Sequence, residues 1–383
     1  PPFFRMFPGV LLQATKETTR KTFWLISSYE KVVFYFLATV AVFVFAYGTY
    51  QRFERYAQGD DDWFDRLDNL PGRIASAAKI VASNEKQFNR DLVGGLMHAF
   101  IMWGFLTLLI ATIILFIDEW YRVFTIAMGD RRSFWVGDFY LSYQLVTDAL
   151  GLLFVVGLAV ALWRRYVVRM DRLHGKHTGW GDAFLTWSLF GLGAGGFLLE
   201  GLRIVGTGEP IATVEPVSFV GTATALGLAT IGMDASMAAA VYPLAWWSHA
   251  LLAFLFIAAI PYTKPFHMLS SFANVVTRDE KAGVRLPGVP ADLDATNAES
   301  IDDFTWKELL DQDACTKCGR CSSVCPAKAS GRPLDPRDVI LDLKEYRESL
   351  EREGGETKDI VADGGVIDTS TMESCMACMA CMD

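Results

Sequence analysis

The chain has 383 residues, 52% of them hydrophobic, and a formal net charge of −9. Several uncharged runs of about 20 residues, the length that crosses a hydrocarbon core roughly 30 Å thick, exclude an ordinary water-soluble fold. From residue 268 on, 13 Lys and Arg stand against 23 Asp and Glu, a balance of −10 that covers the whole net charge and argues against nucleic acid as a partner.

Residues 1–31 mix apolar residues with Arg5, Lys16, Arg20, Lys21 and Lys31. They carry no cleavable-signal pattern and read as a segment lying on the bilayer surface. Residues 32–267 read as a membrane domain with five spans, at 32–50, 92–117, 141–163, 183–205 and 235–260. Gly191, Gly193, Gly195 and Gly196 in the fourth span allow neighbouring helices to approach closely. Seven Lys or Arg lie in 51–91 and five in 164–182, against three in 118–140 and none in 206–234. The positive-inside rule therefore places the first two loops and the tail in the cytoplasm; the basic N-terminus runs against this unless another helix precedes it. Residues 268–303, polar and acidic with Pro287 and Pro290, read as a linker. Residues 304–383 read as an α-helical module, with a helix over 336–353 whose apolar residues 339, 340, 343 and 346 have helical spacing.

All seven cysteines lie after residue 314, in two tight runs rather than scattered as a disulfide framework would be. Cys315-x2-Cys318-x2-Cys321-x3-Cys325-Pro326 is the spacing that wraps a cubic iron–sulfur cluster, its fourth cysteine serving a neighbouring cluster. Cys375-x2-Cys378-x2-Cys381 begins a second such run. By that rule Cys325 joins Cys375, Cys378 and Cys381, and Cys315, Cys318 and Cys321 await a ligand at position 385. The expectation is two [4Fe–4S] clusters in a chain that continues past Asp383. Reduced thiolates fit the cytoplasmic side.

The chain holds five histidines. His249 lies inside the fifth span and His267 just past it, 18 residues on. On one unbroken helix that is five turns, roughly 27 Å, with Pro261 and Pro265 free to bend the path. His98 lies early in the second span. The second and fifth spans run antiparallel, so His98 and His267 lie at one depth. Two imidazoles from two helices suit a six-coordinate b-type haem. His249 has three open readings: a second haem, a hydrogen bond to a quinone, or a satisfied core histidine. His174 and His177, in the basic loop, read as surface residues. Among the intramembrane charges, which tend to be paired or functional, Glu200 and Arg203 sit one turn apart and read as a pair. Asp148 is a candidate for protonation coupled to quinone chemistry.

The passage from His249 to His267 through Pro261-Tyr262-Thr263-Lys264, with Gly95-Leu96-Met97-His98 and Gly104-Phe105, resembles the nitrate reductase gamma-subunit family. The resemblance implies that His98 and His267 ligate one haem. The position corresponding to the family's other partner of His249 is Leu108, so His249 lacks that partner. Cys-Thr-Lys-Cys-Gly-Arg-Cys resembles the cluster module of heterodisulfide-reductase-type proteins. Their fusion resembles membrane proteins that link electron-transfer flavoprotein to menaquinone. The expected fold is an all-α membrane protein: a five-helix transmembrane haem bundle with a cytoplasmic ferredoxin-type two-cluster module. The expected function is electron transfer in the plasma membrane, from a cytoplasmic donor such as electron-transfer flavoprotein, through two [4Fe–4S] clusters and haem b, to menaquinone. The alternatives are a quinol-linked disulfide reductase subunit and a non-redox anchor with a structural metal module.

Overall fold

The computed structural model describes residues 22–60, 66–89, 91–129, 132–208, 217–279, 300–353 and 357–382. Most of the surface segment expected at 1–31, and the 280–299 stretch of the expected linker, lie outside them. The described chain is all-α; its β pairing there is limited to the isolated bridges Asp60 with Thr305 and Val361 with Ile367.

Five helices are long and apolar enough to cross a membrane: α1 (Ser28–Tyr56), α3 (Leu92–Ala127), α4 (Gly137–Tyr166), α5 (Trp180–Gly206) and α7 (Ala235–Ala259). Between α1 and α3 lies α2 (Leu70–Ser83), and between α5 and α7 lies α6 (Phe219–Thr230). Sequence punctuation sets the starts. Ser27 and Glu30 form a reciprocal cap at α1, the Ser27 amide donating to Glu30 at 2.8 Å and the Glu30 amide to the Ser27 hydroxyl at 3.3 Å. Asp91 accepts the Gly94 amide at 2.9 Å and starts α3. Large apolar side chains such as Phe36, Phe43, Ile110 and Phe116 lie exposed along these helices. A water-soluble surface does not tolerate such a continuous apolar face; lipid does. The chain is a multi-pass membrane protein.

Two compact units divide the chain. The first takes in Pro1–Ala41, Lys86–Trp163 and Thr186–Ile257; the second takes in Val42–Glu85, Arg164–Leu185 and Ala258–Asp383. In the first, one core gathers Leu202, Ile204, Ala225, Ala238 and Tyr242, with Trp24 packed edge-on against Tyr242 at 4.7 Å between ring centres. A second core joins Trp135, Tyr140 and Leu141. The glycines of α5 meet neighbouring helices: Gly191 faces Leu252, Gly193 faces Phe154 and Val155, and Gly195 and Gly196 face His249. Glu200 and Arg203 lie 3.9 Å apart.

In the second unit the straight path to His267 is broken. The α7 helix stops at Ala259, two single 3₁₀ turns containing Pro261 and Pro265 follow, and α8 (His267–Val276) begins at the histidine itself. The five-turn phase between His249 and His267 therefore does not describe this backbone. Residues 267–276, composed like the edge of a linker, are instead helical and pack on α2 and on α9 (Trp306–Ala314). Then come α10 (Arg320–Val324), α11 (Pro326–Ala329), α12 (Pro336–Glu353) and α13 (Thr369–Glu373). Tyr56, Phe266, Trp306, Leu309 and Leu310 form one core of this unit. Ile301, Leu343, Ile360 and Ile367 form another.

Candidate functional site: two cysteine runs and three histidines

The two cysteine runs share a backbone signature. In the first, Lys317 and Gly319 flank Cys318 with φ of 57° and 69°; in the second, Ala377 and Met379 flank Cys378 with φ of 49° and 58°. Three of these four are L-residues in the left-handed region, which costs roughly 1–2 kcal/mol each. Left-handed residues are one component of the backbone nests that turn N–H groups toward an anion, of the kind found at iron–sulfur sites. An anionic cluster ringed by sulfur gives those amides their acceptors. That repeated nest, with thiols at ligand spacing, fits two cubic clusters.

The thiols sort into two groups. Burial, then Cys318 and Cys315, push the Cys321 thiol up to about 11; burial, then Cys318, also raises Cys315. Burial raises Cys381 too, followed by Cys375, Cys325 and Cys378. Cys325 is buried, the other members of its run half-buried, and Cys375, Cys378 and Cys381 exposed. Among the described residues no three potential ligands already stand at ion-binding distance.

The first run is held by segments that sequence reasoning passed over. Arg172, in the loop between α4 and α5, donates to the Cys318 carbonyl at 3.0 Å. Lys317 donates to the His177 carbonyl at 2.9 Å, and Arg337 donates to the Arg172 carbonyl at 3.1 Å. Only glycine fits at position 319, where an added Cβ would lie 2.4 Å from the Arg172 carbonyl oxygen. His177 is no surface residue. It is buried, with one ring nitrogen 2.7 Å from Glu345 and the other 3.1 Å from Asp342. His174 is exposed.

Just before the first cysteine, Asp313 is buried among cations. Arg52 reaches it at 3.0 Å, Arg347 at 2.8 Å, Lys344 at 3.2 Å, and the Tyr56 hydroxyl donates at 2.6 Å. Burial alone would raise its carboxyl. Lys344, Arg347, Arg52 and the Tyr56 hydroxyl outweigh that and hold it well below the usual carboxylate range.

His267 is half-buried. Its Nδ1 lies 2.8 Å from the Lys264 carbonyl. A carbonyl only accepts, so Nδ1 carries the proton and Nε2 keeps its lone pair. This is the arrangement found for metal-ligating histidines. Burial lowers its pKa, the Lys264 carbonyl contact opposes this, and the nearby Lys264 charge adds to the lowering. The residues present thus fit an axial haem ligand. Lys264 itself pairs with Asp182 at 2.5 Å. His98, in α3, belongs to the other unit and is half-buried there.

His249 lies on α7 with its Nδ1 closed off from solvent and without a hydrogen-bond partner among the described residues. An added Cβ at Gly195 would stand 3.1 Å from that nitrogen. Asp148 has structural work: it accepts the Val220 amide at 2.7 Å and the Ser218 hydroxyl at 3.2 Å, closing the start of α6.

Fold and site together define a membrane-spanning helical protein that carries a ferredoxin-type iron–sulfur domain. Residues 314–383 match the 4Fe-4S dicluster domain family. Over 93% of its length the chain is 29% identical to the EtfAB:quinone oxidoreductase of Syntrophomonas wolfei, covering 52% of that protein. Over 82% it is 25% identical to the probable iron-sulfur-binding oxidoreductase FadF of Bacillus subtilis, covering 42%. A 27% portion is 37% identical to a probable membrane-anchored ferredoxin of Chromohalobacter salexigens, covering 19% of it. The chain therefore spans about half the length of the first two of these relatives. No solved structure matches it significantly.

Proposed function

We propose that the chain is the electron-transfer part of a quinone-linked membrane oxidoreductase. The observation that carries this reading is the repeated cysteine nest on a chain with five membrane-length helices. The name and extent of the Syntrophomonas wolfei relative support the quinone and the flavoprotein donor.

Cys325, Cys375, Cys378 and Cys381 hold one [4Fe–4S] cluster; Cys315, Cys318 and Cys321 hold most of a second. His98 and His267 would hold a haem b, which would supply a one-electron relay within the membrane. The Lys264 carbonyl fixes the His267 tautomer for that role. Electrons enter from a cytoplasmic donor such as electron-transfer flavoprotein and leave on menaquinone. The unpartnered Nδ1 of His249 favours a hydrogen bond to the quinone over a self-satisfied core histidine. Asp148 is the candidate for supplying the accompanying proton. The protein lies in the plasma membrane with the cluster domain in the cytoplasm.

The test is a reduced-minus-oxidised optical spectrum of the purified protein. A b-type haem band is expected in the wild type and lost in both H98A and H267A. A wild-type spectrum without the band, or a band that survives both substitutions, contradicts the haem assignment.

A further inference from the structure

The loop 167–179 joins two membrane-length helices and carries Arg169 and Arg172. In the structure it forms one wall of the first cysteine loop. Arg172 donates to the carbonyl of Cys318 itself at 3.0 Å, and its own carbonyl accepts from Arg337 at 3.1 Å. That carbonyl also lies where a Cβ on Gly319 would stand. Two further ties fix the loop: Lys317 donates to the His177 carbonyl at 2.9 Å, and the His177 ring sits between Glu345 and Asp342 of α12. Arg172 is half-buried, so solvent screens its charge only in part.

We propose that Arg172 is a positioning residue for the first cluster, and that its cation sets that cluster's reduction potential above the value the cysteine loop would give by itself. The reasoning is electrostatic. Reduction adds one negative charge to the cluster. A guanidinium anchored on the ligand Cys318 favours the reduced state, more strongly in a partly dry site than in water. Charge-assisted hydrogen bonds of this kind are roughly twice as strong as neutral ones. That excess is tied to the charge, so a neutral side chain at 172 is expected to change the oxidised-to-reduced ratio of the first cluster about tenfold. The inference rests on the reading that both runs hold [4Fe–4S] clusters.

The experiment is a redox titration of the full chain, followed by low-temperature EPR, in wild type, R172Q and R172K. The second cluster is the internal reference. At the wild-type midpoint of the first cluster, R172Q is expected to raise its oxidised-to-reduced ratio from one to about ten, or to lose that cluster selectively. R172K, which keeps the charge, is expected to stay within about threefold of wild type. The second cluster should not move in either variant. Two unchanged clusters in R172Q overturn the proposal, as does an equal shift or loss of both. A wild type without [4Fe–4S] signals overturns the cluster reading as well, which separates the two failures.

Discussion

Asp313 is one of the tail's 23 acids in the sequence; in the structure it is a buried carboxylate shared by Arg52, Arg347, Lys344 and Tyr56. Nothing local marks it out, because Arg52 lies 261 residues away. Removing one partner of a buried charge network leaves the others uncompensated and costs about 3–5 kcal/mol. D313N is therefore expected to lower the unfolding midpoint of the second unit clearly, as read by limited proteolysis on a temperature ramp. The pH dependence follows from the sign. The folded carboxyl is held below its ordinary value of about 4, so its contribution is complete above that value and lost as pH falls through the lowered one. Wild type is expected to lose stability on acidification below about pH 4, and D313N to lose less of it over the same range. An identical acid limb in the two proteins contradicts this role. At the exposed Lys176–Asp342 pair, by contrast, K176A should change stability by no more than about 1 kcal/mol.

At the scale of elements, what the sequence revealed depended on how local the signal was. Membrane-length runs of apolar residues are read directly along the chain, and all five helices overlap the expected spans. The α12 helix also lies where its apolar spacing puts it, over 336–353. The short helices, α6 and α8 among them, have no membrane-length run to mark them along the chain; α6 is started by a carboxylate, Asp148, from another helix. The cysteine spacing gave the ligands, but not the left-handed residues at 317, 319, 377 and 379 that shape the loops. Those angles make two predictions. G319A forces a Cβ against the Arg172 carbonyl and a left-handed alanine at once, so it should deplete the first cluster's EPR signal while sparing the second. M379G removes a left-handed penalty of about 1 kcal/mol and should leave both signals at wild-type intensity. Equal loss of both clusters in G319A contradicts the separate support of the two loops.

For the whole molecule, the acidic tail and the basic loops describe one charge balance seen from two ends. The loop basics that set the orientation rule include Arg52, Arg55, Arg165 and Lys176. Within the second unit they pair with Asp313, Glu351, Asp182 and Asp342. Three of these acids, Asp313, Glu351 and Asp342, belong to the tail, so part of its acidity is answered inside the unit. Pairings over 146 residues, such as Arg172 with Cys318, have no one-dimensional trace; a basic loop looks the same whether its charges face headgroups or a cluster domain. The two units, in turn, cut across the membrane and tail segments drawn from hydropathy, because contacts rather than composition define them.

The central claim is that electrons held on the two clusters reach a quinone. The direct measurement is anaerobic mixing of the fully reduced protein with a soluble menaquinone analogue, with EPR following the clusters. Both [4Fe–4S] signals should vanish as quinol forms, one quinol for each pair of electrons lost. Clusters that stay reduced in the presence of excess quinone, with no quinol produced, contradict the account.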